Sequence, residues 1–160
     1  MNIRQVLENT AQKYPNKPAI VFKDTIISFK ELQENVLKLG GALRSQGIGK
    51  SDKVAIYLPN CPQYVYSYLA CFTLGAVGVP LDYMLKKDEL ISCLSHCEAK
   101  VLIAQENQEV SLEFVAGGVS SVDKIILFGH RRAPAIHPKI PNISILRRTP
   151  DSSHYQFPNY

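Results

Sequence analysis

The chain has 160 residues, 46% of them hydrophobic and 20% charged, with a formal net charge of +4. That is room for one domain with a real core, and the composition is ordinary for a soluble globular protein. No apolar run approaches the ~20 residues a membrane-spanning helix needs. The opening MNIRQVLENTAQKYPNK has neither the apolar stretch nor the small-residue cleavage site of a secretory signal, so the expected location is cytoplasmic.

The charge is unevenly spread. Residues 1–129 carry 13 Lys/Arg and 13 Asp/Glu, whereas 130–160 carry five Lys/Arg against Asp151 alone. The whole excess therefore sits in the last 31 residues.

From the N-terminus, Ile3, Val6, Leu7, Ala11 and Tyr14 recur at three-to-four spacing and predict an amphipathic helix, stopped by Pro15 and Pro18. AIVF and IISF then flank Lys23-Asp24-Thr25, two β-rich runs around a polar connection, which predicts a hairpin. Ser28-Phe29-Lys30-Glu31 fits the S-x-x-E capping box, in which the two side chains satisfy each other's orphan backbone donors. Leu32, Val36, Leu39 and Leu43 supply one apolar helix face, and Gly47 a left-handed stop. VAIYL is a buried strand. Asn60 or Cys61 caps the next helix, with Pro62 just inside it.

The segment GAVGVP, Gly75 to Pro80, has spaced glycines that invite comparison with a phosphate-holding loop. Such a loop lies between a strand and the following helix and ends in Lys-Ser/Thr. Here a helix comes first, a strand follows, and no lysine reaches the turn. Gly75 is expected to allow a left-handed helix end and Gly78 close backbone packing. The segment is scaffold.

A helix is expected from Asp88 through Leu90, Ile91 and Leu94, then a strand at VLIA. A weaker helix is expected from Gln105 to Ala116, closed by Gly117-Gly118, and a strand at KIILF. Alternating strands and helices predict an α/β fold with a largely parallel sheet, preceded by the N-terminal helix and hairpin. Residues 1–129 form the expected structured unit. Residues 130–160 hold five of the ten prolines and read as a poorly structured basic linker or tail, in which only IPNISIL resembles a strand. Its basic residues are scattered, so nucleic-acid binding is not favoured.

The four cysteines lie in apolar, helix-like segments and read as reduced thiols packed as small hydrophobes. CLSHC places Cys93 and Cys97 one helical turn apart, but it lacks the spacing of a structural zinc site and has no second cluster. It reads as a core face beside a surface His96. His96, His130, His137 and His154 have no nucleophile or base that the sequence can pair with them. No catalytic, cofactor-binding or metal residue is assigned.

Taken together, several ordered segments resemble the N-terminal part of the adenylate-forming superfamily, the group that includes acyl- and aryl-CoA synthetases, luciferases and peptide-synthetase adenylation domains. They are TAQKYPNKPAIVF, Ser28-Phe29-Lys30-Glu31-Leu32, Leu43 to Ala55, Asn60, Gly75 to Asp82, and Glu89-Leu90. The resemblance covers roughly residues 3–129 and leans toward acyl- or aryl-CoA synthetases. Ser51 departs from it, standing where the family usually has glycine before the aspartate.

The resemblance implies ATP, magnesium and coenzyme A as the family's cofactors. It implies a reaction that joins a carboxylate to AMP and passes the acyl group to a thiol. It also implies a TSGTTGxPKG-type loop for the phosphates and a C-terminal lysine domain, neither of which occurs in these residues, so no cofactor is expected on this chain. The expected function is a truncated acyl-CoA synthetase fragment, inactive alone. Two alternatives stay open: one piece of a split ligase whose partner is the remainder of the synthetase, and a non-enzymatic binding module on the same scaffold. A fatty acid, an aromatic acid or another carboxylate are equally open as the parent substrate.

Overall fold

Ser28 Oγ accepts a hydrogen bond from Glu31 N at 3.3 Å, and Glu31 Oε2 accepts one from Ser28 N at 2.8 Å. The reciprocal box therefore forms and starts the longest helix of a computed structural model. The structure describes residues 2–105, 115 and 119–129, together with the backbone of 143–148 and 155–156.

The element order is α1 (Ile3–Lys13), β1 (Pro18–Phe22), β2 (Thr25–Ser28), α2 (Phe29–Ser45), β3 (Lys53–Tyr57), α3 (Pro62–Leu74), β4 (Val77–Pro80) and α4 (Lys87–Cys97), followed by β5 (Val101–Gln105), β6 (Lys124–Gly129), β7 (Ile143–Arg148) and β8 (Tyr155–Gln156). The start of α1 is a second capping box that the apolar spacing did not reveal, built by Asn2 and Gln5. The weaker helix expected from Gln105 lies almost wholly outside the described residues, and Gln105 itself ends β5.

β1 and β2 form an antiparallel hairpin whose turn is Lys23 and Asp24, because Thr25 already pairs with Phe22. The other six strands make one sheet in the order β4-β3-β5-β6-β7-β8. Neighbours from β4 to β7 run parallel, and β8 is antiparallel to β7. β7 contains most of IPNISIL, so the strand-like run in the Pro-rich segment joins the sheet beside β6. The remaining residues beyond Gly129, apart from the two of β8, are outside the described set.

Side-chain alternation along the strands explains the layers. Val54, Ile56, Val101 and Ile103 point to one face and pack with Leu32, Val36, Leu39 and Leu43 of α2 and Tyr66, Ala70 and Cys71 of α3. Ala55, Tyr57, Leu102 and Ala104 point to the other, against Leu90 and Leu94 of α4 and against Val115 and Val119. Strands buried on both faces read as continuous apolar runs, as VAIY and VLIA do. Burial of each Leu or Ile side chain contributes about 1.5–3 kcal/mol.

Gly75 caps α3 in the left-handed region at φ 69°, where its N–H donates to Phe72 O at 3.2 Å. At Gly78 a Cβ would lie 3.4 Å from both Ile56 Cδ1 and Tyr68 Cδ1, an ordinary van der Waals contact with side-chain ends, so the packing of α3 on β4 does not by itself demand glycine there. Gly75 serves the helix end through its left-handed backbone. The connection through α3 leads from β3 to one side of it, and the connection through α4 returns across the opposite face to pair β5 on β3's other side. Between the carboxyl ends of β3 and β5 the winding reverses. In open α/β sheets that is the place where a crevice forms.

Candidate functional site: a cleft at the reversal of the sheet

A cleft of about 820 Å³ lies at this position. Leu58, Pro59 and Asn60 enter it just past β3, Gln105 ends β5 in it, and Phe128 lies near the end of β6. Its opposite wall is the hairpin from Phe22 to Ile27, and α2 contributes Glu31 and Asn35. Ile27, Leu58, Tyr66 and Phe128 are buried there, while Lys23, Asp24, Asn60 and Tyr83 are exposed around it. The result is an apolar interior with a polar rim, the usual form of a binding site.

Asn35 is 4% exposed. Its Nδ2 donates to Glu31 O at 2.8 Å, one turn back along α2, whereas its buried Oδ1 has no hydrogen-bond partner among the described residues. A buried acceptor left unpaired costs about 1–3 kcal/mol. Sequence reasoning does not single out Asn35, although a signal is present: it lies three residues after Leu32 and four before Leu39, which puts it on the same helix face. At the other wall Cys61 caps α3, and burial pushes its thiol above the ordinary value of 9.0.

The donor set of the cleft does not fit a nucleoside triphosphate. Lys23 is the sole Lys or Arg among the described lining residues, and Asp24 and Glu31 share the cleft with it. The helix that opens into it begins with Pro62, which has no N–H to offer. Holding a triphosphate requires cations and convergent backbone donors, so these residues support no step through ATP.

Among the described residues no cluster of three or more His, Cys, Asp or Glu side chains can hold a metal. Cys93 and Cys97 are half-buried on α4, with Cys97 Sγ donating to Leu94 O at 3.5 Å, and His96 is exposed beside them. His130, His137 and His154 are outside the described residues. No helix of the described residues is long and apolar enough to cross a membrane.

The model of the AMP-binding enzyme family matches residues 7–139. The chain belongs to the AMP-binding enzyme family. Over 116 residues, 66% of the chain, it is 32% identical to the acetyl-coenzyme A synthetase of Pseudoalteromonas atlantica, covering 18% of that protein. Over 101 residues, 63% of the chain, it is 33% identical to the long-chain-fatty-acid–CoA ligase of Bacillus subtilis, again covering 18%.

An anthranilate CoA ligase solved in complex with anthranoyl-AMP superposes with a TM-score of 0.76 at 24% identity, over 83% of this chain and 26% of that one. Coronafacic acid ligase from Pectobacterium brasiliense gives 0.74 at 24% identity, over 79% and 25%. These likenesses show the fold. The chain spans about a fifth of the length of the curated relatives it matches, 18% to 21% in the cases of acetyl-CoA, crotonobetaine/carnitine–CoA and long-chain acyl-CoA ligases.

Proposed function

We propose that these residues form the N-terminal α/β layer of a carboxylate–CoA ligase that activates its acid as an acyl adenylate, and that they do not catalyse adenylation by themselves. The observation that carries this reading is the family match over residues 7–139, laid on a reversing parallel sheet whose cleft has Lys23 as its sole Lys or Arg among the described lining residues. In support, no run of the 160 residues combines several Gly, Ser and Thr with Pro-Lys-Gly. ATP, magnesium and coenzyme A belong to the complete ligase on this reading. So does a partner region supplying the phosphate-binding loop and the catalytic lysine.

The purified chain, given ATP, magnesium and pyrophosphate with acetate, a long-chain fatty acid or benzoate in turn, is expected to show no carboxylate-dependent ATP–pyrophosphate exchange. Robust exchange with any of the three overturns the inactivity. The coding DNA beyond the last codon tests the ligase assignment: a continuation in any frame encoding a Gly/Ser/Thr-rich loop that ends in Pro-Lys-Gly supports it, and an unrelated gene counts against it.

A further inference from the structure

We propose that the outer edge of β4 pairs with the same edge of a second copy of this chain, antiparallel about Gly78, in a closed two-fold dimer. No residue of β4 lines the cleft, and the pairing is independent of the proposed function.

β4 stands at the end of its sheet, with β3 on one side and no described strand on the other. Val77 N donates to Asp52 O at 2.8 Å and Leu81 N to Ile56 O at 3.0 Å, so Val77, Val79 and Leu81 turn their backbone groups toward β3. Gly78 turns its N–H and C=O the other way. Among the described residues no backbone bond outside the strands uses them. Pro80 faces outward too, but it has no N–H, and Ala76 N already donates to Cys71 O at 2.9 Å. The edge therefore offers one complete donor–acceptor pair, at Gly78. Two copies laid antiparallel with Gly78 opposite Gly78 exchange two hydrogen bonds there.

The surrounding surface suits self-association. From Val54 to Leu81 the sequence has no Lys, Arg, His, Asp or Glu, and that run contains all of α3 and β4. A two-fold axis brings each residue near it toward its own copy, so a charge there would meet its like. A neutral face avoids this. Val77 is 47% exposed and Phe72 39%. With Gly78 on the axis, Val77 of one copy falls opposite Val79 of the other, an apolar pair on the α4 side of the sheet. On the α3 side, Tyr68 lies over Gly78, and Phe72 is 5.9 Å from it between ring centroids.

The nearest charges beyond the neutral run set the direction and the partner. Lys50 lies against the N-terminal end of β4, its Cγ 3.6 Å from where a Gly75 Cβ would stand. It is exposed and makes no ion pair among the described residues. Asp82, also exposed, follows the C-terminal end, its Oδ1 accepting from Met84 N at 2.9 Å. Within one chain Gly75 and Asp82 stand on the order of 20 Å apart along the strand. In the antiparallel pair Asp82 falls opposite Leu74 of the second copy, next to its Gly75 and so beside its Lys50. The axis makes this match twice. A strand of another protein would find the Gly78 edge equally open, but it would need an acid and a base at the same two positions. A second copy carries both.

Pairing uses up the edge on each chain, so association stops at two. With one pair of main-chain bonds at the centre of a small apolar patch, the contact belongs to the weak class, and a Kd on the order of 10–100 µM is expected.

Sedimentation equilibrium on the full chain from about 5 to about 500 µM, with amide hydrogen exchange followed at both ends of that range, tests the proposal. The chain should pass from monomer to dimer, and exchange at Gly78 should slow severalfold. Asp82→Lys sets lysine against Lys50 and is expected to weaken the dimer about tenfold, as is Lys50→Asp. The double reversal, Lys50→Asp with Asp82→Lys, should restore most of the lost affinity. Both side chains are exposed, and the Gly78 readout on the unaltered chain needs no substitution at all.

A monomer at about 500 µM overturns the proposal. So does a dimer that leaves Gly78 exchange unchanged, one that either single reversal leaves intact, or one that the double reversal does not restore. An open series of larger oligomers would refute the closed pair.

Discussion

Tyr57 Oη donates to Leu85 O at 2.8 Å across 28 residues of sequence, tying the last residue of β3 to the loop that leaves β4. The ring is almost wholly buried between the sheet and α4. Burial, and then the charge of Asp82, raise the phenol above its ordinary value of 10.0, so it stays a donor throughout neutral pH. Tyr57→Phe keeps the packing and strands the Leu85 carbonyl. The expected loss is about 1–2 kcal/mol of unfolding free energy, read by urea denaturation, with faster amide exchange around Leu85. An unchanged midpoint would show that the bond contributes nothing.

Ser51 occupies the left-handed region at φ 68°, and from there its N–H donates to Gly75 O at 2.9 Å. The carbonyl of the next residue, Asp52, accepts from Val77 N at 2.8 Å, so this turn sets the start of β3 against the start of β4. A side chain in that conformation costs roughly 1 kcal/mol that glycine avoids. Ser51→Gly is therefore expected to raise stability by about 0.5–1 kcal/mol, less the entropy glycine adds to the unfolded chain. A thermal melt checks the sign, and a lowered midpoint would refute it.

The Cys71 thiol is fully buried, and burial pushes it from 9.0 up to about 12. The Tyr68 phenol rises from 10.0 to about 12, through burial first and its Tyr64 neighbour second. Both groups hold their protons to higher pH when folded than when unfolded. The stability they contribute is intact below pH 9.0 and is lost as pH climbs from there toward about 12. Urea midpoints should fall across that window, and Cys71→Ala should flatten the first part of the decline. A slope unchanged by the substitution would remove Cys71 as a cause.

Acid pH acts through Asp52. A hydrogen bond from Lys100 Nζ, 2.6 Å from Oδ1, and one from Gly49 N, 2.9 Å from Oδ2, hold its carboxyl below 3.8. Stability from this pairing is present above pH 3.8 and is lost as pH falls through the lower folded value. Asp52→Asn should leave a shallower acid decline than the parent chain. Equal declines would place the acid sensitivity elsewhere.

Local chemistry makes much of the fold legible in the sequence. The Ser28–Glu31 box, the apolar spacing from Leu32 to Leu43 and the left-handed Gly47 define α2 almost to the residue, because each is a short-range constraint written in side-chain type. Gly75, expected to allow a left-handed helix end, is legible for the same reason. The hairpin turn is one residue shorter than expected: Thr25 looks like turn composition, but as a β-branched residue it pairs at the strand's first position.

Strand order is not legible, since the reversal at β3 depends on which sheet face α3 and α4 cover, and both helices present apolar residues that could fit either. The cleft is hidden because its polar marker, Asn35, sits among leucines and reads as a gap in an apolar face.

β3 belongs to two interiors at once, with Val54 and Ile56 serving one and Ala55 and Tyr57 the other. Deleting a single codon there would swap the tenants: a methyl would arrive where an isoleucine is needed, and a phenol ring would meet α2 and α3. Length is therefore less negotiable in these few residues than identity. Insertions and deletions that the polar turn at Lys23-Asp24 can absorb should be lethal between Lys53 and Tyr57.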